Sequence, residues 1–213
     1  MPATSQFFKT EDLAYWFFRL NGCLCLVNFL VHHEQRGQEG TDVDVMAVRF
    51  PYRNELGNSL FPIVDHRVFS SSGKIDLIIS EVKLGLCNLN GPWTKSERGN
   101  MQRVLYAMGA FQDLEINRVA SDLYNNCYYE DENYRFRLFA IGRELNTGLA
   151  QPVIQLTWAE IAGFIWERFT TYERYKTQHR QWDPVGQELF IRAIKYSRDS
   201  DMFIRYVTER LQP

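Results

Sequence analysis

Three charged residues of this chain are spaced in a way that suits catalysis. Glu81 and Lys83 stand two apart in the run KIDLIISEVK, residues 74–83, and side chains at i and i+2 of a strand leave the same face. Asp44 sits in an earlier run of alternating pattern, TDVDVMAVRF, residues 41–50, where a neighbouring strand brings its carboxylate beside Glu81. Two carboxylates suit a hard cation such as Mg²⁺, with Mn²⁺ as a substitute, and the main-chain carbonyl of Val82 offers a further oxygen. Such a cation polarises a phosphodiester and lowers the pKa of bound water to make a nucleophile. Lys83 then orients that water or offsets charge on the phosphorus. Glu11, at the start of a helical pattern, is a fourth candidate, and its competing duty is to complement the helix dipole.

Each choice has a rival. Asp42 is expected to share a face with Asp44, with Val43 and Val45 on the other face. Asp44 is preferred because it lies deeper in the strand. Asp76 opens the later strand and is expected at a solvated edge. Glu81 and Lys83 have a plain alternative as an ion pair closing a strand. The apolar Leu-Ile-Ile run before them favours a functional placement, because charge at the end of a buried strand carries a cost. His32, His33 and Glu34 look like metal ligands, but adjacent strand residues point to opposite faces and chelate poorly.

The elements that position these groups follow from periodicity and caps. A helix is expected over Thr10–Leu20, with Leu13, Trp16, Phe17 and Leu20 as its apolar stripe and Asn21-Gly22 as its stop. Strands are expected at Cys23–Val31, Thr41–Phe50, Lys74–Lys83, Arg135–Ile141 and Val153–Leu156. One helix is expected over Lys95–Gln112 and a second over Leu114–Cys127. Lys95 and Arg98 then open the helix after the Glu81 strand, where they can meet nucleic acid near the metal, with Gln102 further along. Thr157 caps an amphipathic helix carrying Ile161, Phe164, Ile165 and Phe169, and two more helices follow from Asp183. Arg168, Arg174, Lys176 and Arg180 form either a phosphate track or a solvated face. The whole reads as one α/β domain, a mixed sheet covered by helices, with a core over about 10–157 and a helical extension over about 158–213.

Composition sets the class. The 213 residues are 45% hydrophobic, 15% aromatic and 23% charged, enough for a full core without disulfides. Cys23, Cys25, Cys87 and Cys127 have no zinc spacing and are expected as free thiols, which suits a cytoplasmic location. No stretch resembles a signal peptide or reaches membrane-spanning length. The formal net charge of −2 means that any nucleic-acid contact needs a local basic face.

Taken together, a helix bearing Glu11, Asp44 within VDVMAV, and SEVKLG closing an apolar strand resemble the PD-(D/E)XK pattern of the restriction-endonuclease-like superfamily. The resemblance runs over about residues 10–111. It implies a restriction-endonuclease-like mixed central sheet flanked by helices, and a Mg²⁺-dependent nuclease acting on DNA more readily than RNA. It assigns Asp44 and Glu81 as metal ligands, Lys83 as the catalytic lysine and Glu11 as an auxiliary acid, with Gln102 in support. Val43 stands where the pattern has proline, and the connection from Pro51 to Gly73 exceeds the usual hairpin. The rival expectation is a nuclease-fold subunit without activity, binding a protein partner, nucleic acid or a second copy of itself.

Overall fold

The structure is a computed structural model that describes residues 7–34, 40–60, 62–69, 73–150, 152–177 and 183–213. A two-residue strand β1 (Phe8–Lys9) leads into helix α1 (Thr10–Leu20), then strands β2 (Leu24–Val31), β3 (Thr41–Arg49) and β4 (Ile75–Val82). Helices α2 (Gly91–Thr94), α3 (Asn100–Met108) and α4 (Asp113–Asn126) precede β5 (Tyr128–Glu130), β6 (Tyr134–Gly142) and β7 (Ile154–Thr157). Helices α5 (Trp158–Thr171), α6 (Glu173–Lys176), α7 (Pro184–Lys195) and α8 (Ser200–Thr208) follow, and β8 (Leu211–Gln212) closes the chain.

The central sheet runs β2-β3-β4-β6, and β5 and β7 share the far side of β6. β2, β3 and β4 are mutually antiparallel, β6 lies parallel to β4, and β7 lies parallel to β6. It is a mixed sheet, and helices cover both faces. On one face α1, α5, α7 and α8 pack over Val45, Ala47, Ile78, Phe139 and Ile141. On the other, α3 and α4 pack over Val43, Met46, Leu77, Ile79, Phe136 and Leu138. β4 is therefore buried from both sides, as its apolar run requires. No described helix is long and apolar enough to cross a membrane.

The helices after residue 158 share one core with α1. Trp158, Phe164, Phe169, Leu189, Phe203 and Val207 join Leu13, Phe17 and Phe18 in a single cluster. β8 pairs in parallel with β1, Phe8 opposite Leu211, so the last described strand is fastened to the first. Local chemistry accounts for the starts of α5 and α7. Thr157 accepts the N–H of Glu160 at 3.2 Å to cap α5, and Asp183 accepts that of Gly186 at 2.8 Å to cap α7.

Three expectations are corrected here. Asp76 is not at a solvated edge: it is 1% exposed and holds Arg135 at 2.6 Å and Arg137 at 3.0 Å. The helix expected over residues 95–112 is broken. A short α2 turn and a 3₁₀ turn (Ser96–Arg98) come first, and α3 begins only after Gly99, whose φ of +64° interrupts the spiral. Val43 and Val45 do not share a face, because they belong to opposite core layers. The side-chain alternation of β3 slips at Asp44.

β2 is the outer strand of the sheet, and Leu24, Leu26 and Leu30 are exposed along it. At its centre Asn28 has φ +51°, a left-handed conformation that asparagine tolerates better than most residues. Pairing with β3 holds one register on either side, Val27 with Val45 and Phe29 with Val43, and skips the Asn28–Asp44 pair. This bend produces the slip in β3.

Candidate functional site

The candidate centre forms where β3 and β4 part company. Their ladder runs from Arg49–Asp76 to Val45–Ser80 and ends there. One residue on, Lys83 donates its N–H to Ile141 of β6 at 2.9 Å. Val82 therefore directs its own N–H and C=O to the β3 side, because successive peptide groups along a strand alternate in direction. No strand carbonyl meets that N–H. Instead the side chain of Asp44, turned by the bend in β2 and β3, accepts it at 2.8 Å.

Glu81 projects beside it into the layer of α2–α4 and is 3% exposed. Buried carboxylates require partners, and Glu81 has two. Lys83 forms an ion pair with its Oε1, and Trp93 Nε1 donates to Oε2 at 2.6 Å. Trp93 is held there by α2, whose proline sits at the first turn as helix starts favour. The carbonyl of Lys83 accepts Trp158 Nε1 at 2.8 Å, so the N-terminus of α5 fixes the strand end from the other layer.

The electrostatics tie the sequence-derived residues together. The Asp44 pKa is pushed up to about 6, first by burial and then by the negative charge of Glu81. The Val82 N–H and Lys83 oppose the rise, and Glu11 adds the least. Glu11 lies on α1, in the opposite layer from Glu81, and accepts the hydroxyl of Thr10 at 3.2 Å. It acts on Asp44 through charge at longer range. Among the described residues no group of three or more His, Cys, Asp or Glu stands together as a metal cage. The local donor set comprises the Asp44 and Glu81 carboxylates and the Val82 carbonyl. It fits a hard cation in chemistry, since two acids repelling one another are relieved by a positive charge between them.

The expected nucleic-acid contacts separate. Lys95 and Arg98 are exposed on the turns after Trp93, within a few residues of the indole that holds Glu81. Gln102 is partly buried on α3, and its Oε1 is enclosed with no hydrogen-bond partner among the described residues. His33 and Glu34 gather on Arg103 of α3, with Arg103 Nε 2.8 Å from Glu34, and do not form a chelate. Of the basic residues after α5 begins, Arg168 is buried, Arg174 is exposed, Lys176 is half-buried, and Arg180 lies outside the described residues. All four cysteines are free.

Sequence reasoning missed Trp93 and Asn28. Gly91-Pro92 was a readable sign of a helix start just before the tryptophan, although nothing in it identified Glu81 as the partner. Asn28 sits inside an apolar run, and its left-handed backbone leaves no trace in periodicity. No family model, curated protein or solved structure matches the chain.

Proposed function

We propose that this protein is a divalent-metal-dependent nuclease that hydrolyses phosphodiester bonds, in DNA in preference to RNA. The observation that carries the reading is the hydrogen bond from Val82 N–H to Asp44, which seats one carboxylate at the strand end occupied by Glu81 and Lys83. Asp44, Glu81 and the Val82 carbonyl would hold Mg²⁺ or Mn²⁺. Bound there, the cation would polarise the phosphate and activate water. Lys83, paired with Glu81 and about one-third exposed, has access to solvent and to a phosphate at the site mouth. Glu11 biases the charge of Asp44, and Lys95 and Arg98 offer cations to the strand. Resemblance to the PD-(D/E)XK pattern supports this reading.

One observation favours a second reading, a nuclease-fold binding or assembly subunit without activity. Both oxygens of Glu81 are already engaged, by Lys83 and by Trp93, as in a satisfied structural carboxylate. Purified protein and its Lys83→Ala and Asp44→Asn variants, incubated with single-stranded DNA, duplex DNA and RNA in Mg²⁺, Mn²⁺ or EDTA, decide between the two. The enzyme reading expects metal-dependent cleavage that falls about a hundredfold or more in either variant. No cleavage of any substrate, with no Mn²⁺ binding by calorimetry, overturns it in favour of the subunit.

A further inference from the structure

The far end of α1 borders a cleft of about 210 Å³ that has no part in the acid pair. Arg19, Arg53, Arg168 and Lys176 line it, Glu55 is the single acid among the described lining residues, and Trp16 forms part of the wall. The cations come from four places: the last turn of α1, the connection after β3, the last turn of α5, and α6. Arg19 lies eight residues beyond Glu11, which is about 12 Å along the helix.

The cluster is not neutralised from within. Arg53 pairs with Glu55 and, at 2.6 Å, with Asp65. Asp65 is also shared with Arg49 at 2.6 Å and Arg168 at 3.4 Å. Arg19 reaches Asp183 only at 4.0 Å. Among the described residues five cations, counting Lys176, thus face three carboxylates. Lys176 has no carboxylate within ion-pair distance among the described residues, and its ammonium lies 5.9 Å from the centre of the Phe169 ring. Burial holds its pKa below the ordinary lysine value. Glu55 opposes that shift, while Arg168, Arg53 and Arg19 add to it.

The backbone makes room for the arrangement. Gly22, at φ +77°, lies directly under the side chain of Arg53, where any Cβ would collide with it. Beside the cleft, and sharing Arg53, a second hollow of about 500 Å³ is walled by Phe50, Pro51, Tyr52 and Ile75.

We propose that the cleft binds a phosphomonoester, with its dianion held by Lys176, Arg53 and Arg19 and its organic part towards Tyr52. Two excess positive charges match a dianion, whereas a carboxylate would leave one unpaired. Guanidinium and ammonium groups are both established phosphate donors. The same chemistry is offered by a mononucleotide and by the phosphorylated end of a nucleic-acid strand.

The test is calorimetry on the full chain in EDTA, which keeps the metal centre out of the measurement. The ligands are inorganic phosphate, adenosine 5′-monophosphate, and one oligonucleotide bearing either a 5′-phosphate or a 5′-hydroxyl. Phosphate and at least one phosphomonoester should bind, with the hydroxyl strand weaker than its phosphorylated twin. Lys176→Gln should weaken phosphate binding by about tenfold or more, Lys176→Arg should restore it, and the unliganded melting temperature should stay unchanged in both. Adenosine 5′-monophosphate matching the phosphorylated strand supports a mononucleotide ligand, and tight binding of the strand alone supports a strand end. Absence of phosphate binding at millimolar concentration, or equal binding by wild type and Lys176→Gln, overturns the proposal. An inactive metal centre leaves this result untouched.

Discussion

Asp44 carries a proton at a pH where most carboxylates have lost theirs. Its folded-state pKa of about 6 stands above the value of about 3.9 in an unfolded chain, so between these limits the folded protein binds the proton more tightly. The stability contributed by this group is full at low pH and declines as pH rises through about 6. Asp44→Asn cannot titrate and keeps an oxygen for the Val82 N–H. The stability of this variant relative to wild type should therefore increase between pH 4 and 7 in urea unfolding of metal-free protein. On the proposed reading a cation at the site would compete with that same proton, so Mn²⁺ affinity measured by calorimetry should fall as pH drops below about 6. The shared strand end of Glu81 and Lys83 was legible in their spacing, whereas Asp44 reaches it through a slip in β3 that the alternation did not show. Trp93 was not, because its role depends on where a short helix returns to the sheet.

At the scale of elements, the boundaries of α1, β2, β3, β4 and α5 followed the apolar patterns and caps to within a residue or two. What escaped was distortion. A left-handed residue in mid-strand and a glycine break before α3 are local backbone events, and alternation reads through both. Asn28 tests the first of these. Asn28→Gly should keep stability, whereas Asn28→Val, which resists positive φ, should cost about 1–2 kcal/mol in denaturant unfolding. Asp76 tests a different misreading. Its position at a strand start implied solvent, but three chain segments converge there. It meets Arg135 and Arg137 on β6, and Arg137 in turn donates to the carbonyl of Val68 at 2.7 Å. Replacing Asp76 by Ala strands two guanidinium groups against the core, and a loss of about 3–5 kcal/mol is expected.

For the whole molecule, the sheet with helices on both faces followed from the order of elements, because an apolar strand like β4 requires cover on each side. How closely the later helices bind to the first was not legible. Sequence periodicity reports that a helix has an apolar face and leaves open what that face touches. Phe169 packs 6.1 Å from Trp16 and 5.5 Å from Phe190, ring centre to ring centre, so it joins α1, α5 and α7. Phe169→Ala should cost about 3–5 kcal/mol, and residues 1–157 alone should show no cooperative thermal transition by circular dichroism, since Phe18 and Phe139 lose their cover.

The bend at Asn28 has a consequence for how copies of the protein coexist. Among the described residues no strand pairs with the outer edge of β2, beside the exposed Leu24, Leu26 and Leu30, the kind of surface on which a second chain can add as a further strand. The left-handed residue halfway along breaks that edge into two short pieces. One peptide unit thus both turns Asp44 and interrupts the edge that a second strand would need. Straightening it, as in Asn28→Val, should raise the self-association seen by sedimentation at increasing protein concentration.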